Sequence, residues 1–589
     1  MPPTIPADVV GACTSTINPN GTGCIIANGY LDGGSFLRDN HEVVAIVTYG
    51  GAPSSPDPAA IYTGQQIILI KTDGTTFSNG DPWKCLTCGT PASNMANVTI
   101  ANSEYPQSFP DGSRLLIGNS IFDCSPYQLT DDACTASQIY GYPIRFNNTP
   151  DGSGPGASIR ELRLHPDGVH LGLNVLTYAA GVYNEYAYYG HLVFNPAPTT
   201  GLPLAPRYDL TNVSQMVEPG FANRTLTVSP TNPHQLLINT NGIDVGEFRG
   251  FSKDGTEAFY VGYPHESSNI DVFAANMTTG AVRDVTEGLQ YNDPLDSSPD
   301  DQWVVALATT PYNRLTFVAG MQGVPPLVDP ITTALVAGMR SNQGRAFWKP
   351  ILLDRYAGRG SYVGQQINAG DTSPGGIDDP NWDAAADPRW SWDETAITYY
   401  EHIVQSPGCG GTNPLPCPTS TEPGGRTSRI MIAHLTSRTP YAYTVPAPTA
   451  DNLPTWGVPY VPGSAPQTTT YPPAGHYFLY GAVSGVATVE YRQNSAGTID
   501  YAHVKYTNFS NDGVNLLNGT EHVDQLTPGV TKWKSRLEQL GNTVVLKRTS
   551  PELQLNTIST LYYNNFQALS GKLETKIGGV TYNQPANGT

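Results

Sequence analysis

No run of about 18 apolar residues occurs anywhere in the 589 residues, so no transmembrane helix is expected. The sequence has no Gly-x-Ser-x-Gly elbow, which argues against a prolyl-peptidase-type serine hydrolase. It has no His-Glu-x-x-His pair and no phosphate-binding P-loop. Charge is scarce too, at 14% of residues, and it is one-sided: 31 Lys and Arg face 50 Asp and Glu, a net −19. That balance argues against nucleic acid and against an anionic membrane surface as partners. Its plain reading is solubility. The opening Met1-Pro2-Pro3-Thr4-Ile5-Pro6 lacks the apolar centre of a signal peptide, and is read as a mature chain with a start Met added.

What is present is turn-rich and β-prone. Gly numbers 60 and Pro 51, while Tyr at 33 outnumbers Phe at 16. The eight cysteines fall into four close pairs: Cys13 with Cys24, Cys85 with Cys88, Cys124 with Cys134, and Cys409 with Cys417. They read as four small disulfide loops of a secreted protein. Zinc is the rival at Cys85-x-x-Cys88, but no second Cys or His pair stands nearby. Nine Asn-x-Ser/Thr sequons, at Asn20, Asn97, Asn147, Asn212, Asn223, Asn276, Asn508, Asn518 and Asn587, fit a glycosylated extracellular chain.

One turn recurs. It reads Phe109-Pro-Asp-Gly112, His165-Pro-Asp-Gly168 and Ser252-Lys-Asp-Gly255, with looser copies at Leu37–Asn40, Ser298–Asp301 and Ser391–Glu394. Asp caps such a turn and Gly accepts positive φ. A short apolar strand follows each copy. Repeated strand–turn–strand units predict an all-β chain whose units close on themselves as a β-propeller. The turn Asp residues stand 72, 56, 87, 46 and 93 apart, enough each time for a blade of roughly 40 residues. An extra turn at Ser229-Pro-Thr-Asn232 leaves the count at six or seven, with seven preferred. No long amphipathic helical pattern breaks the series. A Pro- and Thr-rich stretch over 445–475 reads as an extended linker. Longer alternating strands follow, such as Ile499–Thr507. The expected organisation is a lead-in over 1–30, a propeller over 31–462 and an antiparallel β domain over 463–589, one strand of which could instead close the ring.

Ligands of a propeller enter at one mouth of its channel. Residues preceding the turn motifs, or ending the strands after them, therefore select the candidates: Glu104, Tyr105, Arg160, Glu161, Glu218, Glu247, Arg249, His265, Glu266, Asp293, Asp296, Asp387, Arg389, Glu401 and His402 among others. Carboxylates, Arg and aromatic faces around one cavity suit a glycosidase for acidic sugars, in which one carboxyl protonates the leaving oxygen and a second attacks or activates water. Arg holds a uronate carboxylate in a fork. Glu266 and Glu247 are the expected pair, with Glu401 in reserve. Arg249 or Arg389 would hold the uronate, His265 and His402 would contact sugar, and Trp390 or Tyr188 would face the aglycone. Glu185 and His191 lie in a Tyr-rich loop that reads equally as interblade packing. Asp378, Asp379, Asp383 and Asp387 offer oxygen ligands without calcium-loop spacing, so neither a metal nor a cofactor is expected.

In the first blade, Ile61-Tyr-Thr-Gly-Gln-Gln66, Lys71-Thr-Asp-Gly-Thr-Thr-Phe77 and Asn79-Gly-Asp-Pro-Trp-Lys-Cys-Leu-Thr-Cys-Gly89 resemble the secreted fungal saponin hydrolases, as do the Cys13–Cys24 lead-in and the closing Gly578–Thr589 segment. The resemblance implies removal of a glucuronic-acid-linked sugar chain from triterpenoid saponins. The alternatives are a uronate lyase, with an Arg that neutralises the uronate and a His-held metal, and a non-catalytic binding propeller.

Overall fold

All six copies of the recurring turn form one structure. The fourth residue of each copy sits in the left-handed region: Asn40, Gly112, Gly168, Gly255, Asp301 and Glu394 have φ between 55° and 74°. Its N–H bonds the carbonyl three residues back, as in Gly112 N to Phe109 O at 3.1 Å and Glu394 N to Ser391 O at 3.1 Å. The turn Asp accepts the N–H two residues on, for example Ser113 N at 2.9 Å and Thr395 N at 3.1 Å. The loose copies thus use the same capping as the Pro-Asp-Gly ones.

The structure is a computed structural model. It describes the chain except residues 7, 8, 10, 54–58, 180, 181, 219, 221–223, 263, 264, 289, 343, 359–361, 412, 414, 469, 470, 528 and 562–565. Each turn joins the innermost strand of a blade to the second. The innermost strands are Leu31–Phe36, Gln107–Ser108, Arg160–Leu164, Val245–Phe251, Asn292–Ser297 and Trp382–Trp390, and each opens an antiparallel run of three or four strands; two lead-in strands add to blade 1, and a parallel pairing of Tyr140–Arg145 with Arg207–Gln215 joins blades 2 and 3. The protein is an all-β propeller with six blades, the smaller of the two counts that the turn spacing allowed. The extra turn at 229–232 closes only a two-stranded hairpin, Leu226–Val228 with Leu236–Ile238. That hairpin leans on the C-terminal sheet, where Phe478 N–H bonds His234 O at 2.9 Å. Blade 6 meets blade 1 through Trp392 Nε1 donating to Phe36 O at 3.1 Å and Asp393 N–H donating to Asn40 Oδ1 at 3.2 Å. Among the described residues, no strand of the C-terminal sheet enters the ring.

Interblade packing is close. A Cβ on Gly172 would lie 2.1 Å from Cε1 of Phe248, so the second strand of blade 3 needs a glycine to meet blade 4.

The eight strands from Gly475–Tyr480 to Val580–Asn583 form one up-and-down antiparallel sheet. Their alternation is plain in Val530–Leu540, where every second residue is buried from Thr531 to Gln539. The apolar face closes over segments from the propeller. Between the second and third strands of blade 5, residues 309–348 carry the short helix Thr316–Ala319 and the 11-residue helix Asp329–Met339. Phe317, Leu335, Val336 and Met339 share a core with Trp533, Leu553, Leu555 and Leu573. The sequence showed no amphipathic helix here because the longer helix is buried on most of its surface, with apolar or small residues all round. The linker does run extended: Val458–Pro459 adds to the outer strand of blade 3, and Trp456 Nε1 donates to Asn276 O at 2.9 Å.

All eight cysteines are paired, and each pair is the local one. Cys13 bonds Cys24, Cys85 bonds Cys88, Cys124 bonds Cys134 and Cys409 bonds Cys417. No thiolate is left at Cys85 or Cys88 for zinc. Cys124 and Cys134 are both buried, in the core that blades 1 and 2 share. Cys409 is buried whereas Cys417 is exposed, so that bond ties a surface loop to the end of a blade 6 strand. Among the sequons, Asn97, Asn212, Asn508 and Asn587 are exposed, and Asn223 lies outside the described residues. Among the described residues, no helix is long and apolar enough to cross a membrane.

Candidate functional site

The turn motifs lie at one end of the channel, so the mouth lies at the start of the innermost strands. A cavity of about 410 Å³ opens there, lined by Tyr30, Asp32, Glu104, Tyr105, Arg160, Glu161, Glu185, Glu247, Arg249, Arg340, Trp348, Tyr400 and His402. Two of these have left-handed backbones, Tyr105 at φ 58° and Glu161 at φ 51°. Holding side chains that way costs on the order of 1–3 kcal/mol each, a strain that clusters at functional sites.

Three glutamates converge in the cavity. One carboxylate oxygen of each of Glu161, Glu185 and Glu247 lies within 4.8 Å of the others. Arg160 spans them, bonding Glu161, Glu185 at 2.7 Å and Glu247 at 3.3 Å. Arg249, nearly buried, bonds Glu161 at 2.7 Å and Asp293, and stands 3.5 Å from Glu247. The three carboxyls could hold a cation, but two guanidiniums already supply positive charge there.

This arrangement splits their protonation. Burial opposes ionisation of Glu161, yet Arg249, a hydrogen bond from Glu247 and Arg160 outweigh it and hold the group down at about 2. Glu247 goes the other way: burial, then the negative charges of Glu161 and Glu185, keep its carboxyl well above the usual range against the pull of Arg249. Glu185 is pushed up to about 7 by burial and by Glu161, against Arg160. At mildly acidic pH these three glutamates therefore comprise one ionised and two protonated carboxyls. Glu104 is raised by burial and by Glu161, and Asp32 stands well above its usual range through burial. His402 is lowered to about 4 by burial, and its Nδ1 lies 2.7 Å from Ser428 Oγ.

Below the cavity a ladder of charges, mostly buried, runs between blades. Arg163 pairs with Asp387 at 3.0 Å, Asp387 with Arg389 at 2.7 Å, Arg389 with Asp296 at 3.7 Å, and Asp296 with Lys253 at 2.8 Å.

Of the expected site residues, Glu247, Arg249 and His402 line the cavity. The others stand elsewhere. Glu266 accepts from Gly323 N–H at 2.9 Å and from Asn269 at 3.3 Å, tying blade 4 to the blade 5 insertion. His265 faces Asp284 at 3.5 Å. Glu401 is fully buried against Arg429 at 2.7 Å and Asn368 at 3.1 Å. It follows Tyr400 and precedes His402 on one strand, and successive side chains point to opposite faces, so Glu401 turns away from the cavity that its neighbours line. Arg389 belongs to the charge ladder. Trp390 is core between blades 5 and 6, with Val305 and Ile397. Tyr188 packs against Phe146, just past the last strand of blade 2, and against Tyr460 of the linker. Glu218 is outside the cavity lining, while Tyr263 lies outside the described residues. Asp378, Asp383 and Asp387 each pair with Lys or Arg, and Asp379 caps its own loop.

The cavity also holds residues that the sequence reading left out. Trp348 and Arg340 come from the blade 5 insertion, and the Arg340 guanidinium lies 4.6 Å from the ring centres of both Trp348 and Tyr291. Among the described residues, the indole N–H of Trp348 has no hydrogen-bond partner. Tyr30 immediately precedes the innermost strand of blade 1, and Asp32 stands as far ahead of the turn residue Asp39 as Glu247 stands ahead of Asp254. That shared spacing was the signal that could have found Asp32.

No family model and no curated protein matches the sequence. Solved structures similar to the chain include TolB from Acinetobacter baumannii, at 10% identity over 68% of this chain and 65% of that one, with a TM-score of 0.30. An oligogalacturonate lyase in complex with manganese matches at 10% identity over 68% of this chain and 88% of that one, also with a TM-score of 0.30. The β-propeller domain of the Trilobed protease from Pyrococcus furiosus matches at 7% identity over 73% and 98%, with a TM-score of 0.20. This chain spans just under two thirds of the TolB chain's length. Likenesses this distant say nothing of the activity, and the propeller rests on the strand pairing itself.

Proposed function

We propose that the protein is an extracellular glycoside hydrolase acting on uronic-acid-linked glycosides, with triterpenoid saponins as the substrate class. The observation that carries this reading is the split protonation of three glutamates bridged by Arg160 at the channel mouth. Glu247 is the acid: it protonates the glycosidic oxygen as the bond to the anomeric carbon breaks. Glu161 is the ionised carboxylate that attacks or stabilises that carbon, and water then releases the sugar with Glu247 acting as base. The carboxyl oxygens lie within 4.8 Å of one another, short of the separation of about 6.5–9.5 Å that an inverting pair needs, which supports retention of configuration. Arg160, whose side chain is 40% exposed, replaces Arg249 and Arg389 as the group that meets a uronate carboxylate. Trp348 replaces Trp390 as the aromatic face for sugar or aglycone. The disulfides support an oxidising, extracellular setting.

A uronate lyase is the second reading, favoured by His402, a neutral imidazole on the cavity wall placed to remove a proton next to a neutralised carboxylate. Incubation with glycyrrhizin or a soyasaponin, followed by mass analysis of the products, separates the two. Hydrolysis adds one water across the bond cleaved. A lyase leaves an unsaturated uronate, and absence of turnover removes both readings.

A further inference from the structure

Far from the mouth, the extended segment that leaves blade 6 crosses blade 3. There a second group of chemistry-bearing side chains meets. His170 and His191 sit directly opposite one another on neighbouring strands of blade 3, with ring centres 4.8 Å apart. Asp451, on the crossing segment, places Oδ1 at 2.9 Å from His170 Nε2 and 3.0 Å from His191 Nδ1. The other oxygen of Asp451 accepts from Asn212 Nδ2 at 2.7 Å.

The far side of His170 decides how this group reads. Its Nδ1 lies 2.7 Å from Asp167 Oδ2. That same oxygen accepts from the N–H and the hydroxyl of Thr449, each at 3.0 Å. A carboxylate so placed accepts, so the ring proton belongs on Nδ1. Neutral His170 then turns the Nε2 lone pair directly at a carboxylate oxygen. His191 Nδ1 approaches the same oxygen. Two ring nitrogens and one carboxylate facing a common point call for positive charge between them. Protons can supply it, or one cation can serve all three. A carboxylate–imidazole pair behind a converging nitrogen is also how proteins orient metal-binding histidines.

The geometry points to a site for a divalent transition-metal ion held by His170, His191 and Asp451, with Asp167 as the orienting carboxylate and the fourth position open to water. Two imidazoles and a carboxylate suit Zn²⁺, with Cu²⁺ and Ni²⁺ as competitors, and disfavour Ca²⁺ and Mg²⁺. Bonds of about 2.0–2.1 Å in a tetrahedron require ligand atoms about 3.3 Å apart, a few tenths of an ångström beyond the 2.9 and 3.0 Å that now separate the Asp451 oxygen from the two ring nitrogens. His170 is held by the blade and stacks on Tyr189 with planes 11° apart. Asp451 is 41% exposed in its side chain, so the crossing segment can make the adjustment. The ion would pin that segment to the propeller on its way to the C-terminal sheet.

The test uses untagged full-length protein, stripped with a chelator and titrated with Zn²⁺ by calorimetry. One ion per chain with a dissociation constant at or below about 1 μM is expected, together with a higher melting temperature. Mg²⁺ should do neither. His191→Ala and Asp451→Asn should abolish the binding, whereas His265→Ala should leave it intact. His191 is part-exposed, so its variant tests the site without emptying the core. Should either variant fail to fold, Co²⁺ added to the stripped wild type decides, because an imidazole-ligated tetrahedral ion gives intense visible bands. Absence of saturable Zn²⁺ binding, binding unchanged in both variants, or a Co²⁺ spectrum like that of the aqueous ion would each overturn the proposal.

Discussion

Replacing Glu247 by Gln should leave stability nearly unchanged and replacing Glu161 by Gln should lower it, with similar consequences for activity. In the folded protein Glu247 is already neutral, held so by burial beside Glu161 and Glu185. Glutamine keeps that neutrality and nearly the same shape, so Glu247→Gln should shift the melting temperature by no more than about 1 °C. Glu161 is ionised and compensates two guanidiniums, one of them nearly buried. Breaking a buried ion pair from one side costs about 3–5 kcal/mol. The lower end applies here, because Glu247 can ionise and take over part of the charge. A chain of 589 residues unfolding together has an unfolding entropy of about 1.2 kcal/mol per kelvin, so a loss of about 3 kcal/mol lowers the melting temperature by about 2–3 °C. Both variants should lose roughly 10²–10⁴-fold in kcat on a 4-nitrophenyl β-glucuronide, since each removes one of the two carboxyl functions. Calorimetry and initial rates on the same preparations test this. If Glu247→Gln is the more destabilised variant, the split protonation is wrong. If either keeps full activity, its assigned role is wrong.

Three further outcomes follow from the same structure. Glu266→Gln and Glu401→Gln should keep kcat within about twofold, because one ties a loop and the other pairs with Arg429 away from the cavity; a loss of 10²-fold or more in either returns it to the site. The rate should hold down to about pH 4, because Glu161 stays ionised above about 2; a pH–rate profile that collapses between pH 6 and pH 4 contradicts this. Stability should fall as pH rises. Glu185 at about 7, Asp271 at about 8 and Asp329 at about 6 are all raised by burial, so what they contribute is full below their unfolded values and is lost as pH rises through 6–8; a melting temperature that climbs from pH 5 to pH 8 would refute it.

The sequence revealed the propeller through its turns because the turn chemistry is local. Asp at the third position and a residue tolerant of positive φ at the fourth are enough to mark each innermost strand. The cysteine pairs were legible for the same reason, since each bond closes a short loop. The same logic reached Glu104, Arg160, Glu161, Glu247 and Arg249, which precede those turns at the mouth. It failed where the answer depends on which face a side chain takes or on what covers a loop. Glu401 and His402 are adjacent, and only the second faces the cavity. Glu266 sits in a loop of the right kind, but the insertion at 309–348 docks on it. That insertion brings Trp348 and Arg340 to the cavity from far along the chain, and no local pattern announces it. Its helix was hidden for a related reason: buried between propeller and C-terminal sheet, it needs no polar face. The Ser229 turn looked like a blade because turn chemistry cannot tell a hairpin from a blade.

The central claim is that Glu161 and Glu247 act as a close carboxyl pair on a uronoside. Proton NMR of the reaction with a β-glucuronide, read before the sugar anomers equilibrate, tests it most directly. The close spacing of the carboxyls predicts β-glucuronic acid as the first product. First release of the α-anomer, an unsaturated uronate, or no cleavage at all would contradict it.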